Sequence, residues 1–187
     1  MGRLIIKPMN KKRCSWATDV EKIYVEYHDE EWGVPTHDDR ELFEFLVLES
    51  FQAGLSWITI LKKRENFKKA FDNFDVNKVA DYGEDKINEL RENEGIIRHK
   101  GKITSAINNA QVFIEIQKEF GSFDEYIWGF TEGNIIKADY LTESDLSKNI
   151  SKDLKKRGMK FVGPTIIYSY LEAIGIIDNH QQDCFKF

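Results

Sequence analysis

The stretch LKKRGMKFVGPTIIYSYLEAIG, residues 154–175, decides the fold that the sequence predicts. Its helical spacing predicts two helices joined by a tight turn bounded by Gly158 and Gly163. Pro164 suits the first turn of the second helix, because the N–H that proline lacks would have no partner there. The free N–H groups of that helix point back at the turn, so they and the helix dipole attract anions.

Positive charge is concentrated at this turn, although the chain carries a net charge of −5 with 32% charged residues. Four basic residues lie beside or within it: Lys155, Lys156, Arg157 and Lys160. Such a patch would allow an acidic protein to bind one stretch of DNA backbone. The predicted DNA-binding residues are Lys155, Lys160, Gly158 and Gly163. The alternative is an ordinary helical hairpin with a solvated basic tip, which is common in all-α proteins.

Helical spacing extends over most of the remaining chain, and sustained strand alternation is absent. Further helices are predicted at residues 39–53, 56–71, 75–80, 84–94, 98–120, 122–130, 147–157 and 164–173. The stretch 131–143 is the least regular and predicts a loop or an extended turn. The predicted class is all-α, with a single domain at residues 13–187 after an N-terminal tail at residues 1–12.

Length and composition favour a globular protein outside membranes. The 187 residues are 41% apolar and 13% aromatic, which is enough to bury a sizeable core. No apolar run approaches the roughly 18 residues that span a bilayer. The start, MGRLIIKPMNKKR, lacks the long hydrophobic region of a secretory signal. We therefore expect a cytoplasmic protein with no membrane partner, and no feature demands more than a monomer.

Two cysteines and two histidines near the chain ends form a candidate metal site. His180 and Cys184, in HQQDC, share one face of a helix or tight turn. With Cys14 and His28 they complete a set suited to closed tetrahedral zinc, which would join the N-terminal segment to the C-terminus. The alternatives are a terminal disulfide, which a reducing cytosol disfavours, or two free thiols with unrelated histidines.

A single carboxylate interrupts the apolar segment LVLESFQAGLSW at residues 46–57. Glu49 lies on the helical stripe that contains Leu42, Phe45 and Leu46. A buried carboxylate is costly unless something pairs with it. We interpret Glu49 as facing a pocket in which an incoming ligand supplies the partner. The alternative is a structural glutamate paired with a backbone N–H or with Tyr27.

The aromatic residues divide into a predicted core and predicted pocket walls. The core set is Trp32, Phe43, Phe45, Phe51 and Trp128, since aromatic residues at helical spacing are usually buried. Trp16, Tyr24 and Tyr27 fall outside the long predicted helices, and Trp57 falls at a helix start. Those positions suit the walls of a pocket better than the centre of a core.

Five runs of sequence resemble the 3-methyladenine DNA glycosylase I family. They are RCSWA at 13–17, YVEYHDEEWGVP at 24–35, LFEFLVLESFQAGLSWITILKKRENF at 42–67, GIIRHKGKI at 95–103 and LKKRGMKFVG at 154–163. The resemblance extends in order from Arg13 to Cys184. It implies an all-α helix-hairpin-helix fold, and a monofunctional enzyme that hydrolyses the N-glycosidic bond of 3-methyladenine in alkylated double-stranded DNA, releasing the free base and leaving an abasic site.

The resemblance also implies roles for individual residues. The base-contacting glutamate falls on Glu49, our candidate catalytic residue, and the hairpin falls on residues 158–163. The pocket aromatics fall on Trp16, Tyr24, Tyr27 and Trp57. The ligands of one structural zinc ion per chain fall on Cys14, His28, His180 and Cys184.

Asp178 is the residue that departs from the family pattern. Many helix-hairpin-helix glycosylases carry a catalytic aspartate shortly after the hairpin, but the family resembled here generally lacks it. We interpret Asp178, in GIIDNH, as a residue that caps or orients the segment carrying His180.

The implied chemistry suits the candidate pocket. Alkylation at position 3 gives adenine a positive charge while it is attached to the sugar, so the base is already a good leaving group. Aromatic faces attract cations by up to about 2 kcal/mol when desolvated. A carboxylate attracts the charge directly and accepts hydrogen bonds from the amino group of the base. The base must leave the duplex to reach such a pocket.

Three other functions are compatible with the same residues. One is a non-catalytic zinc-stapled module that recognises damaged or bent DNA. Another is a helical domain that binds a small purine and ignores DNA. The third is a glycosylase of broader range that also removes 3-methylguanine.

Overall fold

The computed structural model describes residues 11–138 and 141–187. Residues 1–10 of the predicted N-terminal tail lie outside the described residues. The described helices are α1 (Lys22–Glu30), α2 (Asp39–Gln52), α3 (Trp57–Ala70), α4 (Val76–Ala80), α5 (Glu84–Glu92), α6 (Lys100–Phe120), α7 (Phe123–Gly129), α8 (Asp145–Lys156) and α9 (Pro164–Ala173). Short 3-10 turns lie at Ser15–Ala17 and Asp72–Phe74. Among the described residues, no helix has the length and apolar character that a membrane crossing requires.

The all-α prediction is confirmed, with local adjustments at helix ends. The long helix α6 begins at Lys100, because His99 acts as its N-cap and accepts a hydrogen bond from the backbone N–H of Lys102. Helix α8 begins two residues before the predicted start, because Ser144 and Ser147 form a reciprocal capping box. The segment that forms α1 was not among the predicted helices.

The least regular predicted stretch contains a strand. β1 (Ile136–Lys137) pairs in parallel with β2 (Ile177–Asp178), which follows α9. Ile136 is in register with Ile177, and Lys137 with Asp178. This two-residue ladder connects the chain after α7 to the C-terminal segment.

Helix α2 lies at the centre of the fold. Asp38 caps its start by accepting a hydrogen bond from the N–H of Glu41. Every residue from Leu42 to Phe51 is buried, because α2 packs against α3, α6, α7 and α9. A helix that is buried on all sides holds any polar side chain in the interior, so the environment of Glu49 is fixed by the fold.

The predicted aromatic core is confirmed. Trp32, Phe43, Phe45, Phe51 and Trp128 are all buried. Phe43 of α2 packs edge-on against Phe113 of α6 with ring centroids 5.2 Å apart, and Phe113 stacks on Phe123 of α7 at 4.0 Å. These contacts join three helices around one interior.

The segment after α1 packs against the end of α9. The N–H of Gly33 donates to the carbonyl of Glu172, and the N–H of Thr36 donates to the carbonyl of Ile174. Gly175 has a φ of +78°, and a Cβ there would lie 2.5 Å from the backbone of Val34. This close approach requires glycine, and it brings the aromatic residues near the N-terminus to the face of α9.

Candidate functional site

A cavity of about 300 Å³ lies where the N-terminal segment, α1, α2, α3 and α9 meet. This volume is at the lower end of the range of small-molecule sites. The five residues predicted for the base pocket all line it: Trp16, Tyr24, Tyr27, Glu49 and Trp57. Tyr24 and Tyr27 lie on α1, which packs against α3. The cavity is therefore assembled from four separate parts of the sequence, at residues 16–32, 49–57, 141–142 and 165–179.

Among the residues that the structure describes, Glu49 has no polar partner. Its side chain is 3% exposed, and none of the hydrogen bonds among the described residues uses its carboxylate. The alternative pairing with a backbone N–H or with Tyr27 is therefore not seen within residues 11–138 and 141–187. Burial, followed by repulsion from Glu172, raises the pKa of Glu49 well above its ordinary value.

A second glutamate on α2 shows how the same fold neutralises a buried carboxylate. Glu44 is 1% exposed, and it accepts hydrogen bonds from Arg40 at 2.7 Å and from Arg64 at 2.6 Å. Such pairing is the usual condition for burying a charge. Glu49, which lies on the same helix, has no comparable cation among the described side chains and faces the cavity instead.

Aromatic rings form two walls beside Glu49. Trp16 and Tyr24 have ring centroids 5.1 Å apart, and Tyr27 and Trp57 have centroids 5.4 Å apart. The indole Nε1 of Trp57 is buried and has no hydrogen-bond partner among the described residues. An unpaired buried donor costs about 1–3 kcal/mol, so its retention in a cavity wall favours a ligand that accepts its hydrogen bond.

Glu172 is a second acidic residue of the cavity that the sequence analysis missed. It extends from α9 and accepts a hydrogen bond from the Nδ2 of Asn179 at 2.7 Å. Burial raises the pKa of Glu172 to about 7. The signal was available, since Glu172 is the only charged residue of α9, just as Glu49 interrupts an apolar segment.

The tight turn between α8 and α9 matches the predicted hairpin. Gly158 has a φ of +103°, which favours glycine, whereas Gly163 has a φ of −64° and precedes α9 without a side-chain cap. Lys155 and Lys160 are exposed. Arg157, in contrast, is engaged by Glu119 and Asp153 through hydrogen bonds of 2.6 and 2.7 Å. The available positive charge of the turn therefore comes from lysine residues.

Three of the four predicted metal ligands meet in one buried cluster. The ligand atoms of Cys14, His28 and Cys184 all lie within 4.8 Å of one another, and all three residues are buried. These three residues can hold a metal ion. His180 lies outside that spacing, but its ring centroid is 5.4 Å from that of His28 and its buried Nε2 has no partner among the described residues.

The surroundings of this cluster suit a tetrahedral metal. His28 contacts Asp29 through Nδ1 at 2.9 Å, and His180 contacts Asp178 through Nδ1 at 2.8 Å, so both rings keep Nε2 for a metal. Both cysteines are free thiols, and the alternative of a terminal disulfide is therefore absent. Two sulfur and two imidazole donors fit zinc.

Asp178 has the orienting role that the sequence indicated. Its carboxylate contacts the His180 ring and accepts a hydrogen bond from the backbone N–H of His180 at 3.1 Å. Asp178 is not among the residues that line the cavity. Asp178 therefore contacts a predicted metal ligand, and the acidic groups that line the cavity are Glu49 and Glu172.

The family model described as methyladenine glycosylase matches residues 16–187. The chain belongs to the methyladenine glycosylase family. DNA-3-methyladenine glycosylase 1 of Escherichia coli (strain K12) is 43% identical over 179 residues, which cover 92% of this chain and 95% of that protein. The resemblance found in the sequence is thus confirmed.

Solved structures of 3-methyladenine DNA glycosylase I share the fold of this methyladenine glycosylase. One crystal structure has a TM-score of 0.89 at 43% identity, and the match covers 93% of this chain and 98% of the other. A variant of such an enzyme, solved in complex with 3-methyladenine, has a TM-score of 0.89 at 38% identity, covering 92% and 96% of the two chains.

Proposed function

We propose that this methyladenine glycosylase is a DNA repair enzyme that excises 3-methyladenine from alkylated DNA. It hydrolyses the bond between the base and deoxyribose, releases the free base and leaves an abasic site. The observation that carries this proposal is the buried carboxylate of Glu49, which faces an aromatic cavity and has no partner in the described part of the chain. Relatives that are named for this activity and a relative solved with 3-methyladenine support it.

The charge of the lesion explains how such a cavity selects it. The methylated base is a cation before its bond to the sugar breaks, whereas undamaged adenine is neutral. Glu49 attracts that charge and accepts a hydrogen bond from the amino group, an interaction worth about 1.5–3 kcal/mol when one partner is charged. Neutral adenine supplies no charge to offset the ionised carboxylate, so it binds less well.

The aromatic walls add to this selection. Trp16, Tyr24, Tyr27 and Trp57 surround the space beside Glu49. Their faces attract a cation by up to about 2 kcal/mol in a desolvated site. The cationic base is already a good leaving group. Once it is bound in this cavity, cleavage of its bond to deoxyribose requires little further acid catalysis.

Binding to the DNA backbone is the proposed role of the hairpin. Lys155 and Lys160 supply positive charge, and the turn from Gly158 to Gly163 presents backbone N–H groups before α9. The damaged nucleotide leaves the duplex to enter the cavity, which costs least for a damaged base.

Zinc has a proposed structural role. Cys14, His28, His180 and Cys184 would hold one ion per chain and join the N-terminal segment, α1 and the C-terminal segment. Four protein ligands leave no open position for water, so the ion supplies stability rather than chemistry.

The single domain at residues 13–187, the monomeric state and the cytoplasmic location stay predictions.

Identification of the bases released from methylated duplex DNA tests the proposed function. Purified protein is incubated with the DNA, and the released bases are separated by chromatography. We expect free 3-methyladenine. DNA binding without released base would indicate a non-catalytic module, and a lack of salt-dependent DNA affinity would indicate a purine-binding domain. Release of 3-methylguanine in addition would indicate the broader glycosylase.

A further inference from the structure

Side chains from three helices hold the backbone of the hairpin turn. Asn108 of α6 donates to the carbonyl of Gly158 at 2.8 Å, and Ser151 of α8 donates to the carbonyl of Val162 at 2.6 Å. Ser50 of α2 donates to the carbonyl of Phe161 at 3.2 Å. Bonds from surrounding helices thus fix the turn along its length.

Asn109 makes the most complete of these contacts. It lies on α6, is 2% exposed, and uses both halves of its amide on one residue. Its Nδ2 donates to the carbonyl of Lys160 at 2.8 Å, and its Oδ1 accepts from the N–H of Lys160 at 2.8 Å. The next residue, Phe161, has a φ of +53°, a conformation that a bulky residue keeps only when its surroundings impose it.

The direction of these bonds determines what the turn presents outward. In a trans peptide the C=O and the following N–H point in opposite directions, and no described peptide bond is cis. The carbonyls of residues 160, 161 and 162 point at the surrounding helices. The N–H groups of Phe161, Val162 and Gly163 therefore point away from those helices, and none of them is used in a hydrogen bond among the described residues.

Helix α2 links this turn to the cavity. Ser50, which contacts the turn, is the neighbour of Glu49, which faces the cavity. The single hydroxyl hydrogen of Ser50 is shared between the carbonyls of Leu46 at 2.8 Å and Phe161 at 3.2 Å, so the same hydroxyl contacts α2 and the turn. The distance between the turn and the acidic group of the cavity is thereby set through one buried helix.

We propose that Asn109 is a positioning residue that aims the N–H groups of Phe161, Val162 and Gly163 at a DNA phosphate. Ser50 keeps that phosphate site in register with the cavity that receives the base. This inference rests on the proposed function, because it assigns the turn to DNA binding. Asn109 itself touches neither the base nor the reacting atoms.

The test compares two ligands of the full-length protein. One is a duplex that contains a stable abasic-site analogue, and the other is free 3-methyladenine, whose binding is followed by tryptophan fluorescence. We expect Asn109→Ala to weaken binding of the duplex by about tenfold, as expected for loss of one charge-assisted contact. Binding of the free base stays within about twofold, because the cavity does not include Asn109.

Gln117→Ala is the matched control. Gln117 is another amide on α6, but it donates to Asp39 at 2.7 Å and does not contact the hairpin. Equal loss of duplex affinity in both variants would overturn the inference, as would an Asn109→Ala variant that loses affinity for both ligands in parallel. Either result would show that Asn109 only stabilises the fold.

Ser50→Ala provides a second variant in case Asn109→Ala does not fold. It removes one bond to the turn, and we expect a smaller loss of duplex affinity with free-base binding retained. Unchanged duplex affinity in Ser50→Ala would overturn the proposed register between turn and cavity. Failure of the wild-type protein to bind the duplex would instead overturn the proposed function, so the two failures are distinguishable.

Discussion

Glu49 and Glu172 line one cavity from two different helices, and neither forms an ion pair with any residue that the structure describes. Burial raises the pKa of both carboxyl groups, and Glu172 raises that of Glu49 further. A protein without a cationic ligand gains nothing from this arrangement, because it bears the desolvation cost without compensation. A cationic base provides that compensation, and this explains why the cavity is acidic.

The pH dependence of stability tests the environment of Glu172. Its pKa is raised from 4.5 to about 7, so between these values the folded state keeps a proton that the unfolded state has lost. Stability therefore falls as pH rises through this window. We expect Glu172→Gln to remove this decline and to exceed the wild type in stability by up to about 3 kcal/mol at pH 8.

Urea denaturation of the two proteins at a series of pH values measures this difference. The difference in stability between Glu172→Gln and the wild type should shrink towards zero as the pH falls to 4.5, the ordinary pKa of a glutamate. A difference that stays constant with pH would contradict the raised pKa of Glu172.

Elemental analysis tests the metal site. We expect about one zinc ion per purified chain, and His180→Ala should lose zinc and melt at a lower temperature, because we propose its Nε2 as the fourth donor. His37→Ala is the control, since His37 is an exposed histidine that contacts Asp124 and lies outside the cluster. A metal-free protein with full activity and unchanged stability would exclude the zinc site.

The backbone at Gly33 lies against the ring of His180, one of the proposed metal ligands. It has a φ of +73°, and a Cβ there would lie 2.6 Å from the Cε1 of His180. Gly33→Ala should therefore displace the His180 ring and lower zinc affinity, besides the roughly 1–2 kcal/mol that a positive φ costs alanine.

Gly54→Ala is the matched control for Gly33→Ala. Gly54 has a similar φ of +79°, but a Cβ there would meet nothing within 4 Å. In thermal unfolding, Gly54→Ala should lose stability as Gly33→Ala does, but Gly54→Ala should keep its zinc. Equal zinc retention by both alanine variants would show that Gly33 does not position His180.

The salt dependence of DNA binding tests the lysine residues of the hairpin. Lys155→Ala and Lys160→Ala should each reduce the slope of log affinity against log salt by about 1, because each removes one phosphate contact. Lys118→Ala, at an exposed position of α6 that pairs with Glu115, should leave the slope unchanged. If the Lys118 variant changed the slope as much as the hairpin variants, the predicted DNA face would be wrong.

The predictable parts of this protein were those encoded by local pattern. The hairpin was recognisable because Gly158 and Pro164 mark a turn and a helix start, and Glu49 was recognisable because it interrupts an apolar segment. Helix α1 is a short helix at Lys22–Glu30 that was missed, and aromatic contacts such as Trp16 with Tyr24 hold it against the fold. Propensity is a weak guide where tertiary contacts decide.

Long-range pairing accounts for the other differences. Arg157 appeared free to bind DNA, but Glu119 of α6 and Asp153 of α8 engage it. The β1–β2 pair joins two-residue strands from distant parts of the chain, and neither is long enough to show strand alternation. These features depend on which helices become neighbours in the fold. The spacing of residues within one segment does not determine those neighbours.

The rate at which Glu49→Gln releases 3-methyladenine from methylated DNA tests the central claim most directly. Glutamine keeps the shape of the side chain and removes the charge, and the variant should fold at least as stably because no described residue pairs with the buried carboxylate. Glu41→Gln, at an exposed position of the same helix, is the control. We predict that Glu49→Gln loses at least about tenfold in single-turnover rate or DNA affinity while the control retains both. Release of 3-methyladenine by Glu49→Gln with unchanged rate and affinity would contradict recognition of the cationic base by Glu49.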